Sequence, residues 1–129
     1  MSYRHCIVWL DHFRAIIISF SDERSVTVEL ASASEETQLH RKSGRPGSGR
    51  LADDHAFFER VGLQIETSPE ILITGPGEAK VAFERFLQKR FPIVAGRVHG
   101  VETLDHPSSG ELLAYGRHRF AAIDQLLGI

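Results

Sequence analysis

A chain of 129 residues with 42% hydrophobic and 25% charged side chains has the make-up of one globular domain, large enough to hold a core without disulfides or metal. A formal net charge of -2 excludes a global field for polyanions, so contact with nucleic acid would have to come from a local patch. The single cysteine, Cys6, excludes an internal disulfide, and no apolar run approaches the ~20 residues of a membrane span, which leaves a reducing cytoplasm as the default location.

Two β-branched, apolar runs open the chain, Cys6-Ile7-Val8-Trp9-Leu10 and Ala15-Ile16-Ile17-Ile18-Ser19-Phe20, separated by Asp11-His12-Phe13-Arg14. They predict a hairpin with a loop of about four or five residues, and they bury Cys6 as an inert thiol and Trp9 as core. The alternation Val26-Thr27-Val28-Glu29-Leu30 predicts a third strand with one half-exposed face.

Residues 31–50 lack apolar periodicity and are read as a long loop. Its first half is small and acidic, with Glu35 and Glu36. Its second half, His40-Arg41-Lys42-Ser43-Gly44-Arg45-Pro46-Gly47-Ser48-Gly49-Arg50, has four Arg or Lys, three glycines and no acid. Flexible cations of this kind can follow an irregular sugar-phosphate chain, which makes His40, Arg41, Lys42, Arg45 and Arg50, with Gly44, Gly47 and Gly49, the nucleic-acid-binding candidates. A merely solvated loop accounts for the same residues.

Leu51 to about Ile65 carries acids in its first turn and apolar residues at Leu51, Phe57, Phe58, Val61 and Ile65, a helical pattern closed by Thr67-Ser68-Pro69. The run Ile71-Leu72-Ile73-Thr74 then stops at Gly75-Pro76-Gly77 and passes into a helix with Ala79, Ala82, Phe83, Phe86 and Leu87 on one side, ending near Phe91 because Pro92 follows. Gly75, Gly77 and Lys80 form a candidate anion site at that helix start. Glycines needed for unusual φ and close helix approach explain the corner without a ligand, and the Walker spacing is absent. Val98 to Leu104 predicts a last strand, and Ser108-Ser109-Gly110-Glu111 a capping box for a helix whose core face is Leu112, Leu113, Phe120, Ile123 and Leu127. The order β-β-β-loop-α-β-α-β-α implies a single α/β domain over residues 1–129, with one mixed five-stranded sheet and helices packed on it.

Asp-His recurs as Asp11-His12, Asp54-His55 and Asp105-His106. Asp11, His12, Asp105 and His106 are the metal candidates, for a metal-assisted phosphodiesterase built on the two aspartates. Turn and cap roles serve those residues equally, and no local chelate spacing is present. No serine or cysteine nucleophile stands out, so no catalytic residue and no cofactor is assigned.

The element order, with a basic glycine-rich segment between third strand and first helix, resembles the middle domain of archaeal and eukaryotic class-1 release factors and Pelota. Ile7-Val8-Trp9-Leu10-Asp11 with Ala15-Ile16-Ile17 is similar to that domain's opening hairpin, His40 to Arg50 to its peptidyl-transferase-centre loop, Leu51 to Val61 to the helix after it, and Ile71 to Lys80 to its strand and Gly-Pro-Gly corner. The likeness extends to stand-alone bacterial relatives of the "translational machinery protein" type, through Trp9-Leu10-Asp11-His12, Gly75 to Lys80 and Val101 to Pro107. Release factors of this family hydrolyse peptidyl-tRNA with Gly-Gly-Gln at the loop tip. Here the corresponding Gly44-Arg45-Pro46-Gly47-Ser48-Gly49 has no glutamine, and the codon-reading and GTPase-binding domains have no counterpart. The resemblance therefore implies a non-enzymatic accessory protein of translation whose partners are the ribosome, ribosomal RNA or tRNA. A homo-oligomeric scaffold is the remaining alternative.

Overall fold

β1 (His5–Leu10) forms because five consecutive apolar residues, Cys6 to Leu10, suit burial on both faces, and all five are at most 2% exposed. The computed structural model describes residues 3–32 and 48–128. β2 (Arg14–Phe20) pairs antiparallel with β1, and β3 (Ser25–Ala31) antiparallel with β2. β4 (Glu70–Gly75) pairs parallel with the other side of β1, and β5 (Val98–Thr103) parallel with β4. The sheet order is β3-β2-β1-β4-β5. This is the mixed five-stranded sheet expected from the element order.

Helix α1 (Ser48–Gln64) precedes β4, α2 (Ala79–Arg90) and the four-residue α3 (Pro92–Ala95) follow it, and α4 (Ser109–Leu127) ends the fold. Alternation along β1 divides the core in two. Cys6, Val8 and Leu10 join Ile71 and Ile73 beneath Phe57, Phe58 and Val61 of α1 and Phe83 and Leu87 of α2. On the opposite face, Ile7, Trp9 and Leu72 pack under Leu112, Phe120 and Ile123 of α4. Each fully buried large apolar side chain stabilises by about 1.5–3 kcal/mol. α4 approaches the sheet closely at Gly116, where a Cβ would lie 3.1 Å from the Phe20 ring and 3.2 Å from Ile7.

Several expectations change in detail. α1 begins at Ser48 rather than Leu51, so Gly49 and Arg50 belong to its first turn; backbone N–H groups there need no intrahelical acceptor, and apolar spacing does not mark such a turn. β2 begins at Arg14 and leaves a three-residue turn, because Asp11 Oδ1 accepts the backbone amides of Phe13 and Arg14 at 2.8 and 2.9 Å. The short α3 was not anticipated. Pro92 at its first turn starts a new helix where it ends the old one. Leu127, expected in the core, is 54% exposed because α4 runs past the sheet there.

α4 is fixed at both ends. Ser108 and Glu111 form the predicted capping box, with Glu111 N donating to Ser108 Oγ at 3.1 Å and Ser108 N to Glu111 Oε1 at 2.8 Å. Arg119 grips Glu102 of β5, donating from Nε at 3.0 and 3.1 Å and from Nη2 at 2.5 Å, and the Tyr115 hydroxyl donates to the same carboxylate. The Arg119 hydrogen bonds hold the Glu102 carboxyl below its ordinary 4.5, while burial first, and then the hydrogen bond to Glu102, raises Tyr115. Arg119→Ala is expected to cost about 1 kcal/mol at pH 7, since both side chains touch solvent. A glutamate with a lowered native pKa stabilises above its unfolded value and loses that contribution as pH falls through the folded one. Wild type and variant should therefore converge in urea titrations run well below pH 4.5.

Burial pushes the Cys6 thiol up from 9.0 to about 11, with hydrogen bonds to Ser68 and Ser19 lowering it only in part. A thiol whose native value is raised stabilises fully below its unfolded pKa and loses that as pH climbs through the folded one. Between about pH 9 and 11, wild type should lose roughly 2–3 kcal/mol more than Cys6→Ala in denaturant titrations.

Candidate functional site

β1, β4 and β5 are parallel, so their C-terminal ends open onto one end of the sheet. Such ends are where ligands bind in open α/β sheets, because the loops that leave them are free of the ladder. The turn after β1 brings Asp11, His12 and Phe13 there, the corner after β4 brings Gly75 to Glu78, and the segment after β5 brings Leu104 to Pro107. His106 is central. Its Nδ1 lies 2.9 Å from Asp105 Oδ1, its Nε2 is 3.9 Å from Asp11 Oδ2, and its ring sits 5.0 Å from that of Trp9. The His106 hydrogen bonds hold the exposed Asp105 carboxyl below the usual aspartate range.

Trp9 is core, as expected, and its Nε1 donates to the carbonyls of Leu104 and Asp105, both at 2.9 Å. It thereby fixes the segment that carries His106. Trp9, Arg14, Ile16, His106 and Pro107 line a shallow pocket of about 120 Å³. Arg14 and Pro107 were not singled out by sequence, and the only signal for them was proximity to Asp11 and His106. His12 Nδ1 faces Asp54 Oδ2 of α1 at 3.6 Å, so the Asp11-His12 pair meets each of the other two Asp-His pairs through a single member.

The four metal candidates are only partly brought together. Asp11 and Asp105 both reach His106, but Asp11 Oδ1 is occupied by the turn amides and the Asp105 side chain is 94% exposed. Among the described residues, the group within reach of one ion is instead His5, Glu70 and Asp124, at the opposite end of the sheet. No local chelate spacing announced it, because its members are 65 and 54 positions apart and lie on three elements.

At the Gly-Pro-Gly corner, a Cβ on Gly75 would stand 2.3 Å from the backbone carbonyl of Leu10. Gly75 is therefore required by close approach of β4's end to β1 and not by φ, since Gly128 is the only described residue with positive φ. Gly77 has open space around it. Lys80 is buried, and its Nζ donates to the Gly77 carbonyl at 2.5 Å, so its charge closes the corner. His40, Arg41, Lys42, Gly44, Arg45 and Gly47 lie outside the described residues, whereas Gly49 and Arg50 lie in α1. Gly75→Ala is expected to destabilise by about 1–3 kcal/mol, because a backbone oxygen cannot swing aside. Gly77→Ala should change stability by less than about 0.5 kcal/mol in the same urea titration.

No family model matches the chain, and no curated protein sequence matches it. Solved structures do share its fold. Pelota from Archaeoglobus fulgidus superposes with a TM-score of 0.66 at 18% identity, over 99% of this chain and 34% of that one. The archaeal translation termination factor aRF1 gives 0.59 at 16% identity, over 84% and 32%, and archaeal Pelota bound to the ribosome with ABCE1 gives 0.55 at 18%, over 95% and 37%. The chain spans about a third of the length of these proteins. Its mixed five-stranded sheet with helices on both faces is the fold of a domain of Pelota and aRF1.

Proposed function

We propose that this chain is a ribosome- or RNA-associated accessory factor of translation, related to the middle domain of class-1 release factors and Pelota and acting without peptidyl-tRNA hydrolysis. The observation that carries the reading is the placement of the two flanks of the basic segment. Ser32 N donates to the Phe13 carbonyl at 2.8 Å beside the β1–β2 turn, and α1 begins at Ser48 and reaches the same turn through Asp54 and His12. Both flanks thus belong to the end of the sheet where β1, β4 and β5 finish, beside Arg14 and His106.

Arg41, Lys42 and Arg45, with His40 and Arg50, supply phosphate contacts in this reading, and Gly44 and Gly47 let the backbone adapt to them. The fold relationship to ribosome-bound Pelota supports a ribosomal partner and so a cytoplasmic place of work. No described helix is long and apolar enough to cross a membrane. The absence of Gly-Gly-Gln at 44–49 argues for contact without hydrolysis. The phosphodiesterase alternative has less to build on, since Asp11 is held by its own turn and Asp105 by His106.

Sedimentation with ribosomes at increasing salt tests the proposal. Wild type is expected to pellet at low salt and to be released as salt rises. Arg41→Ala/Lys42→Ala/Arg45→Ala should reduce the log–log salt slope by about 2, from roughly 0.7 per lost phosphate contact. Failure of wild type to pellet at low salt, or pelleting indifferent to both salt and the triple substitution, would remove the ribosomal reading.

A further inference from the structure

The end of the sheet opposite the proposed RNA-facing end gathers titratable side chains that the function above does not use. His5 opens β1, Glu70 opens β4 and is its register partner, and Asp124 lies in the last turn of α4. By alternation from Ile7 and Leu72, His5 and Glu70 point to the face that α4 covers. His5 Nε2 is 2.9 Å from Asp124 Oδ2 and 3.8 Å from Glu70 Oε2, and one donor atom from each of the three residues falls within 4.8 Å of the others. His99 of β5 flanks the cluster, its Nε2 3.6 Å from Glu70 Oε1.

Two independent features set this cluster apart from a surface ion pair. Glu70 Oε1 and Asp124 Oδ1 are both buried and accept no hydrogen bond, although the Glu70 side chain is only 9% exposed. A buried carboxylate oxygen in that position costs free energy unless something positive meets it. The imidazole of His5 is also oriented in advance. It stacks on Phe120 at 4.4 Å and tilts against Phe20, while His99 meets the edge of Phe120. Rings locked by packing lose little freedom when they bind.

We propose that His5, Glu70 and Asp124 bind one divalent transition-metal ion of the zinc class, with water completing the coordination. Bonds of ~2.0–2.1 Å in a tetrahedron place donors roughly 3.3 Å apart, so donor atoms lying within 4.8 Å of one another close on an ion by drawing together by at most about 1.5 Å. An imidazole beside two carboxylates favours zinc-class ions over magnesium and calcium, which take oxygen donors. Arg4 already pairs with Glu70 Oε2, so the ion uses the free Oε1 and leaves that pair intact. The carboxyl end of α4 adds a field that favours a cation. The ion joins the starts of β1 and β4 to the C-terminal helix and acts as a structural staple.

The test uses the whole chain, stripped with chelator and titrated with Zn2+ by calorimetry, with Co2+ as spectroscopic probe and thermal melts alongside. Wild type is expected to bind one ion, to raise its Tm by several degrees, and to give Co2+ visible bands of a four-coordinate nitrogen and oxygen site. His5→Gln and the near-isosteric Asp124→Asn should each weaken binding more than tenfold, whereas His118→Gln, an exposed histidine of α4, should bind as wild type. Circular dichroism of the metal-free variants reports whether each is folded, and wild type alone decides the matter if one is not. The proposal is overturned if wild type takes up no Zn2+ at submillimolar concentration. It is equally overturned if His5→Gln and Asp124→Asn, both folded, bind as wild type does, which would place the bound ion elsewhere.

Discussion

The fold depends on β1 being dry on both faces. Its strand neighbours run in opposite senses, β2 antiparallel on one side and β4 parallel on the other, so β1 is where the hairpin half of the sheet joins the crossover half. A strand in that position can expose no side chain, and Cys6 to Leu10 supply none that wants water. Thr74 of β4 is the polar side chain nearest the middle of this layer, and its hydroxyl is satisfied by donating to the Val8 carbonyl at 2.8 Å. Two separate cores follow directly, one under α1 and α2 and one under α4.

From that constraint comes the polarity of the molecule. Parallel β1, β4 and β5 send all their C-terminal ends to one side and all their N-terminal ends to the other. The first side receives turns, a glycine corner and the flanks of the basic segment. The second receives the register pair His5 and Glu70 together with the last turn of α4. Gly75 shows how tightly the sides are drawn, because β4 ends so close to the Leu10 carbonyl that no Cβ fits.

The legible part of this arrangement was what local chemistry writes. Five strands could be read because β-branched runs such as Ile16-Ile17-Ile18 have no other comfortable geometry, and α4 because Ser108 and Glu111 announce its start. Contacts between distant elements could not be read. Lys80 looked like a ligand group by its place at a helix start, yet its ammonium folds back on Gly77. Leu127 fits the helical apolar stripe, yet α4 outruns the sheet beneath it. His5, Glu70 and Asp124 carry no shared motif, and only the register of β1 with β4 and the docking of α4 bring them within 4.8 Å.

Where the charged groups sit follows from the same burial. Mid-strand positions of β1 and β4 are enclosed by helices on both faces, where an ionised side chain would cost several kcal/mol. Buried charge is therefore kept off the middle of these strands, and the buried charged residues of the described chain, Glu70 and Lys80, obey this: Glu70 opens β4 and Lys80 stands just after its end. Each is held by a different device. Lys80 donates to a carbonyl of its own corner, a local solution. Glu70 takes Arg4 on one oxygen and leaves the other enclosed beside His99, an incomplete one. The glycine corner is thus scaffolding, and the chemistry still open at the two ends lies beside the flanks of the basic segment on one and with Glu70 and its neighbours on the other.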